Sequence, residues 1–409
     1  MTKYFYIIIL LFSLTNLWSN PKYEKIDKES KSVPDSLKTT EEIAKYLTSE
    51  LKNDDEKIRA LYIWITHNIK YDLDQINSEF QYGSYNEMVD ETLKTRKGVC
   101  GHYAQLFHYM CKSIGIESFV ISGYTRQLDS NKISELDHAW NGVKINDSYF
   151  FVDNTWAAGH LSYKGNYVHE FTDNYFLVNA KKFIKTHVPF DPVWQFLNNP
   201  ISNVDYEKKD FSKLSKRGNF IFKDSISKMV QLDTITQIRK KIDRIIKSGI
   251  TNVLIEKEIY EDEELIESLT YAKWISNYNS INDKINSAND EINMGISFEN
   301  IFIGYMNKNF RNPKIEDSEI ESTIDKANQH FYQGKNQLKK YKPSVYDLEY
   351  SGKNKKFIRL TKNYKETLVD FVIQLERTIL KVEPSIIKDT DYSKRYLKKW
   401  KPLRDLVAY

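Results

Sequence analysis

The chain has 409 residues, of which 41% are hydrophobic and 28% charged, and 60 basic against 56 acidic side chains leave a formal net charge of +4. This composition belongs to ordinary globular protein rather than to a disordered or membrane-embedded chain. The basic excess is too small and too dispersed for a nucleic-acid surface, and the length allows more than one domain.

Lys3 precedes an apolar run from Tyr4 to Phe12, followed by a more polar stretch and Leu17-Trp18-Ser19-Asn20-Pro21. One positive charge, a short apolar core and a small residue before a turn form the pattern of a secretory signal peptide. Residues 1–19 are therefore expected to be removed after Ser19 and the protein exported, to a periplasm or the extracellular space; an uncleaved anchor is the alternative. Crossing a bilayer takes about 20 apolar residues. The polar segment 20–38, with Pro21 and Pro34, is expected to be a linker.

A helical pattern runs from Thr40 to about Leu51. Asp54-Asp55-Glu56 then supplies the negative charge favoured at a helix start, and Ile58, Leu61, Tyr62, Ile65 and Ile69 recur at helical spacing. Gly98 breaks the pattern before a third helix that begins at Cys100, carries Ala104, Phe107, Met110 and Cys111 on one face, and ends near Gly115. The period then changes. Ser118–Tyr124 reads as a strand, Gln127–Asp137 as a polar loop, and His138–Ile145 and Tyr149–Val152 as two strands joined by an Asn146-Asp147 turn. Helices followed by antiparallel strands make an α+β fold. From Asp205 onward strand signals nearly vanish. Ile235, Ile238, Ile242 and Ile245, and later Tyr364, Leu368, Phe371, Leu375, Ile379 and Val382, mark helices with one apolar stripe, so 205–409 is expected to be an all-α domain.

Only two cysteines occur, Cys100 and Cys111. On one helix they stand about 16 Å apart, and a disulfide needs α-carbons within about 7 Å. Both are expected to be free thiols. Cys111 on the apolar face suits a packing role. Cys100, within the first turn, faces unpaired amides that favour a thiolate and could hold an oxyanion. His138 opens one strand and Asp153 closes the next; counting out from the turn brings them to the same end of the hairpin. A carboxylate there would fix the imidazole tautomer.

The segments Lys97-Gly98-Val99-Cys100-Gly101-His102-Tyr103-Ala104, Ser122-Gly123-Tyr124, Asp137-His138-Ala139-Trp140-Asn141 and Val152-Asp153-Asn154-Thr155-Trp156 together resemble the transglutaminase-like superfamily. Within it they look most like the branch that includes the kyphoscoliosis peptidase. The stretch from Trp64 to Asp72, and Tyr175-Phe176-Leu177, His187-Val188-Pro189 and Trp194-Gln195 downstream, agree with this. The resemblance implies a papain-like core over 39–204, with the cysteine helix packed against an antiparallel sheet. It implies Cys100 as nucleophile, His138 as base and then acid, and Asp153 as the orienting group. The implied chemistry is attack on a peptide or protein amide and a thioester resolved by water or by an amine, with hydrolysis favoured.

Trp140, Trp156 and Tyr103 stand near these positions as candidates for lining the substrate cleft, with core packing as the alternative for each tryptophan and support of the fold as the alternative for Tyr103. Trp64 is expected in the core and His67 at the surface. Cys100, His102, His108 and Cys111 form a superficial metal set, but the two cysteines are too far apart to share a zinc ion. No glycine-rich phosphate loop or dinucleotide fingerprint occurs and no acidic loop suggests calcium, so no cofactor or metal is expected. A non-catalytic interaction module is the remaining alternative, with the helical domain as a surface for a protein partner.

Overall fold

The computed structural model describes residues 22–76, 82–126, 132–162, 164–216, 218–308 and 314–381. The apolar N-terminal run and its cleavage point lie outside the described residues, as does Val382 at the end of the last apolar stripe. Among the described residues no helix is long and apolar enough to cross a membrane. The chain divides into two compact units, Met1–Asp262 and Glu263–Tyr409.

The first unit opens with α1 (Glu24–Glu29), α2 (Thr40–Thr48) and α3 (Asp54–Asn68). Thr39 caps α2 through a reciprocal pair with Glu42, which satisfies two amides that the helix leaves unpaired. The segment expected to be a linker is instead part of this unit. Tyr23 and Ile26 enter the core, and Asp27 binds the buried Arg59. Polar composition concealed one buried ion pair and two apolar anchors. β1 (Lys70–Tyr71) pairs in parallel with β2 (Lys97–Gly98), and α4 (Tyr85–Thr95) lies between them in sequence. The expected elements do not include α4, although Ser84 caps it and Met88, Val89 and Leu93 supply its buried face.

α5 (Cys100–Ser113) follows, then β3 (Ser118–Arg126), β4 (Ile133–Ile145) and β5 (Ser148–Val152). The polar stretch before His138 was expected to be loop; from Ile133 it is already strand, paired to β3 at Arg126. α6 (Asn154–Ala158) leads to a small hairpin of β6 (Gly159–Leu161) and β7 (Tyr167–His169). After α7 (Ala180–Phe183), β8 (His187–Pro189) adds antiparallel to β3, giving a four-stranded sheet ordered β5-β4-β3-β8. One side of the sheet, through Val143 and Val152, joins a core with Phe107, Met110 and Cys111 of α5 and the apolar residues of α3. The opposite side, through Ile121, Trp140 and Phe151, packs on Phe183, Val193 and Phe196. The strand alternation therefore divides between two apolar layers. This is the α+β, papain-like arrangement that the motifs imply.

Strands end at Pro189 among the described residues, but the first unit does not. α8 (Asn203–Glu207), α9 (Phe222–Met229), α10 (Thr234–Ser248) and the start of α11 (Val253–Asn307) complete it. Tyr206, Ile245, Leu254 and Ile255 pack with Tyr124, Val188 and Phe190 in one buried cluster. The boundary thus falls after Asp262 rather than near 205, because the sheet's outer layer is supplied by helices. In the second unit α11, α12 (Asp317–Tyr346) and α13 (Lys355–Lys381) share a core around Ile285, Ile292, Phe331 and Val372. A Cβ at Gly334 would lie 2.8 Å from the Ile292 side chain, so α12 approaches α11 closely only because this residue is glycine.

Candidate active site

Cys100 is the first residue of α5, and Val99, as the cap, offers no side-chain acceptor to the leading amides. The His102 and Tyr103 amides donate to the Val99 carbonyl, so the amides of Cys100 and Gly101 are the ones this first turn leaves for a ligand beside the thiol. His102 anchors the turn: its Nδ1 accepts from the Val99 amide at 3.2 Å, which leaves Nε2 protonated and 3.2 Å from the Tyr82 hydroxyl. Gly98 is needed for this fit, since a Cβ there would sit 2.4 Å from the His102 Cβ. Cys100 is half-buried and free. Cys111 is also free but fully buried, and burial pushes its thiol well above the ordinary value. The two cysteines differ in burial, and Cys111 has the packing place that its position predicts.

Register brings the other groups in. β4 pairs with β5 from Ile145↔Ser148 to Asn141↔Val152, so Asp153 leaves the sheet at the end where His138 lies. The Asp153 Oδ2 accepts from His138 Nε2 at 2.7 Å. That contact leaves Nδ1 of the ring unengaged by Asp153, and Cys100 lies close enough to act electrostatically on the histidine. The Asp153 Oδ1 accepts the amides of Thr155 (2.9 Å) and Trp156 (3.0 Å), so the same carboxylate caps α6. The structure thus brings Cys100, His138 and Asp153 together.

Burial and charge set the proton positions. Burial alone would raise Asp153, but the charge and hydrogen bond of His138 and the hydrogen bond of His187 hold it well below the usual carboxylate range. Burial disfavours charge on His138, yet Asp153, and to a lesser degree Cys100, push its pKa up to about 10. His187, also buried, falls to about 4 because burial and the positive His138 outweigh Asp153. His138 contributes stability that is complete below about 6.5 and lost as pH rises toward about 10. His187, kept neutral, makes the fold less stable as pH falls from about 6.5 toward about 4. The melting midpoint of the protein, followed by circular dichroism, is therefore expected to peak near pH 6–7. A midpoint climbing steadily to pH 9 contradicts a protonated His138.

Two of the candidate cleft residues are displaced from that role. Trp140 is 1% exposed and packs its ring on Phe183 and His187. Tyr103 is 1% exposed and donates its hydroxyl to the Ile69 carbonyl at 2.6 Å. Both are core residues: the apolar layers on the two sides of the sheet need their volume, and neither reaches a substrate. Trp156 remains half-buried, its ring 5.6 Å from that of His138. Trp64 is in the core as expected, whereas His67 is half-buried against His169 and Phe171 rather than at the surface.

The superficial metal set disperses, since His102 serves the helix cap and His108 Nδ1 contacts Ser118 Oγ at 2.9 Å. Among the described residues one other group has metal-ligand composition: His138, Asp153 and His187, with ligand atoms within 4.8 Å of one another. Both ring Nε2 atoms already face the one Asp153 oxygen at hydrogen-bonding distance, so each must carry a proton there. A zinc ion would require both to give it up. Two residues beyond the expected ones belong to the site. Tyr71 pairs with Gly98 two positions before Cys100, and burial, then the neighbouring Cys100, raises its phenol. His187 enters on β8, and no periodicity in the sequence ties it to Asp153.

Residues 41–156 match the sequence profile of the transglutaminase-like superfamily. The chain carries a transglutaminase-like domain. Kyphoscoliosis peptidase of Mus musculus is 30% identical over 197 residues, covering 47% of this chain and 29% of that protein. The Lim and transglutaminase domain protein ltd-1 of Caenorhabditis elegans is 27% identical over 186 residues, covering 42% and 25%. The chain therefore spans less than a third of the length of either relative. Among solved structures, the periplasmic domain of TgpA from Pseudomonas aeruginosa bound to ethylmercury matches at 20% identity, over 32% of this chain and 49% of that one, with a TM-score of 0.24. The profile ends at Trp156, so the transglutaminase-like match contains all of Cys100, His138 and Asp153 and stops before β8.

Proposed function

We propose that the transglutaminase-like domain is a cysteine enzyme that attacks peptide or protein amides, and that hydrolysis is its main outcome. The observation that carries this reading is a cysteine at the start of a helix, near enough to His138 to influence its charge, with His138 itself held by Asp153. A protonated imidazole beside the thiol is the resting partner of a thiolate. The thiolate adds to the amide carbonyl, forming a C–S bond and an oxyanion that the first amides of α5 can receive. His138 passes its proton to the amine as the C–N bond breaks, which leaves a thioester. Water then adds, neutral His138 takes its proton, and the acid departs as the thiolate re-forms. An amine in place of water gives acyl transfer; similarity to kyphoscoliosis peptidase favours water. We also propose that the protein is exported, from Lys3 and the apolar run after it, and that the helical second unit engages a protein partner.

Mass spectrometry of a glutamine-rich protein incubated with the enzyme and a primary amine tests the chemistry. New termini or one-dalton shifts that vanish in C100A support hydrolysis, and amine adducts move the assignment to acyl transfer. If these products persist in C100A, or if Cys100 alkylates no faster in the folded than in the denatured protein, the enzymatic reading is lost.

A further inference from the structure

Asp153 is fully buried, and a buried carboxylate is useful to His138 only while it stays ionised and correctly turned. Each of its oxygens has two lone-pair directions. Oδ1 is filled by the Thr155 and Trp156 amides, and one direction of Oδ2 by His138. The fourth donor is His187, whose Nε2 lies 3.1 Å from the same Oδ2.

The fold fixes this second histidine firmly. It is 0% exposed, stacks on Phe183 at 4.0 Å with the planes 20° apart, and meets Trp156 at 4.5 Å and Trp140 at 5.3 Å. Its Nδ1 lies 2.8 Å from the Thr186 hydroxyl, which can donate to it and so keep the proton on Nε2. β8 reaches this place across Gly123, which pairs with His138 on one side and Pro189 on the other. A Cβ at Gly123 would sit 2.1 Å from the Val188 carbonyl oxygen and 2.5 Å from Trp140. The absence of a side chain there lets the strand carrying His187 close on the strand carrying His138.

We propose that His187 is a positioning residue that donates to Asp153 Oδ2 beside His138, so that the carboxylate stays ionised and its remaining lone pair stays aimed at the catalytic imidazole. This rests on the proposed roles of Cys100, His138 and Asp153. His187 makes no contact with substrate; it acts through Asp153. The titratable groups facing it are Asp153, His138 and the Tyr175 ring at 5.9 Å. Of these only His138 is cationic, so His187 serves as a neutral donor. Without it Asp153 is free to turn away from His138, the imidazolium loses its fixed partner, and the Cys100 sulfur reacts more slowly at low pH.

The experiment is the pH profile of Cys100 alkylation by iodoacetamide on the full chain, with C111S as background and denatured protein as reference. H187F keeps the aromatic stack but removes the donor, and is expected to slow alkylation at pH 6 by about tenfold, the worth of one pKa unit. H187Q places an amide nitrogen near the Nε2 position and should recover most of the rate, whereas H187N falls short of Asp153 and should not. Recovery in the glutamine variant alone is an outcome that a packing role does not produce, and the Gln–Asn comparison stands if H187F fails to fold. A wild-type profile in H187F, or equal behaviour of H187Q and H187N, overturns the role of His187 while leaving Cys100 chemistry intact. If Cys100 in the unsubstituted protein is no more reactive folded than denatured, the reading of the whole site falls, and this one with it.

Discussion

Replacing Asp153 with asparagine is expected to lower turnover of the amide substrate by about 10³–10⁴-fold with KM changed about twofold at most. The carboxylate offers only acceptors, and four donors converge on it: His138 and His187 at one oxygen, two amides at the other. An asparagine must turn its NH₂ toward one of these pairs. Turned to the histidines, it forces His138 to accept at Nε2, so the ring carries its proton on Nδ1, toward Cys100, and cannot act as base. Turned to the amides, it sets donors against donors at the start of α6. The first arrangement keeps the cap and the fold and loses the tautomer. The measurements are kcat and KM on the amide identified by mass spectrometry, with the alkylation profile as a readout independent of substrate. An Asn variant that retains a tenth or more of the turnover means that Asp153 does not set the His138 tautomer.

That carboxylate also marks how far the sequence reaches. His138 and Asp153 could be paired by counting from Asn146-Asp147, because a hairpin's register follows from its turn and the two residues are near in sequence. Cys100 could be placed at a helix start because Gly98 breaks the preceding pattern. His187 could not be placed: it arrives 34 residues after Asp153, on a three-residue strand whose position depends on β3 accepting a second neighbour. Trp140 and Tyr103 show the converse difficulty. Proximity in sequence to a candidate site residue says nothing about which side of a strand or helix faces the cleft, and both rings turned into the core. The end of strand signals was visible, but it did not mark the end of the unit, since α8, α10 and the start of α11 bury their apolar faces on the outer layer of the sheet. Periodicity shows that a helix has a buried face without saying against what.

The expected linker leads to the second large effect. Arg59 on α3 is 1% exposed, and its guanidinium binds Asp27 through two parallel contacts of 2.6 Å and Asp173 through one of 2.5 Å. Its plane lies among the rings of Tyr23, Tyr62, Phe171 and Phe176, the last at 4.8 Å. Burial works against the charge, but the two carboxylates more than offset it. This group ties α1, before the expected domain start, to the segment that follows the hairpin of β4 and β5. A six-residue helix such as α1 has no stability of its own. Substituting Arg59 with methionine keeps the stem but strands two carboxylates, and the expected cost is about 3–5 kcal/mol. Denaturant unfolding should show it directly, and limited proteolysis should begin between residues 22 and 38. Lysine at this position should not restore stability, because one ammonium cannot match the planar bidentate contact. Adding D27N and D173N to R59M should restore part of the loss, since much of the cost is the unpaired charge. A single R59M variant with an unchanged midpoint and an uncut N-terminal segment would show instead that the apolar contacts of Tyr23 and Ile26 alone hold α1 in place.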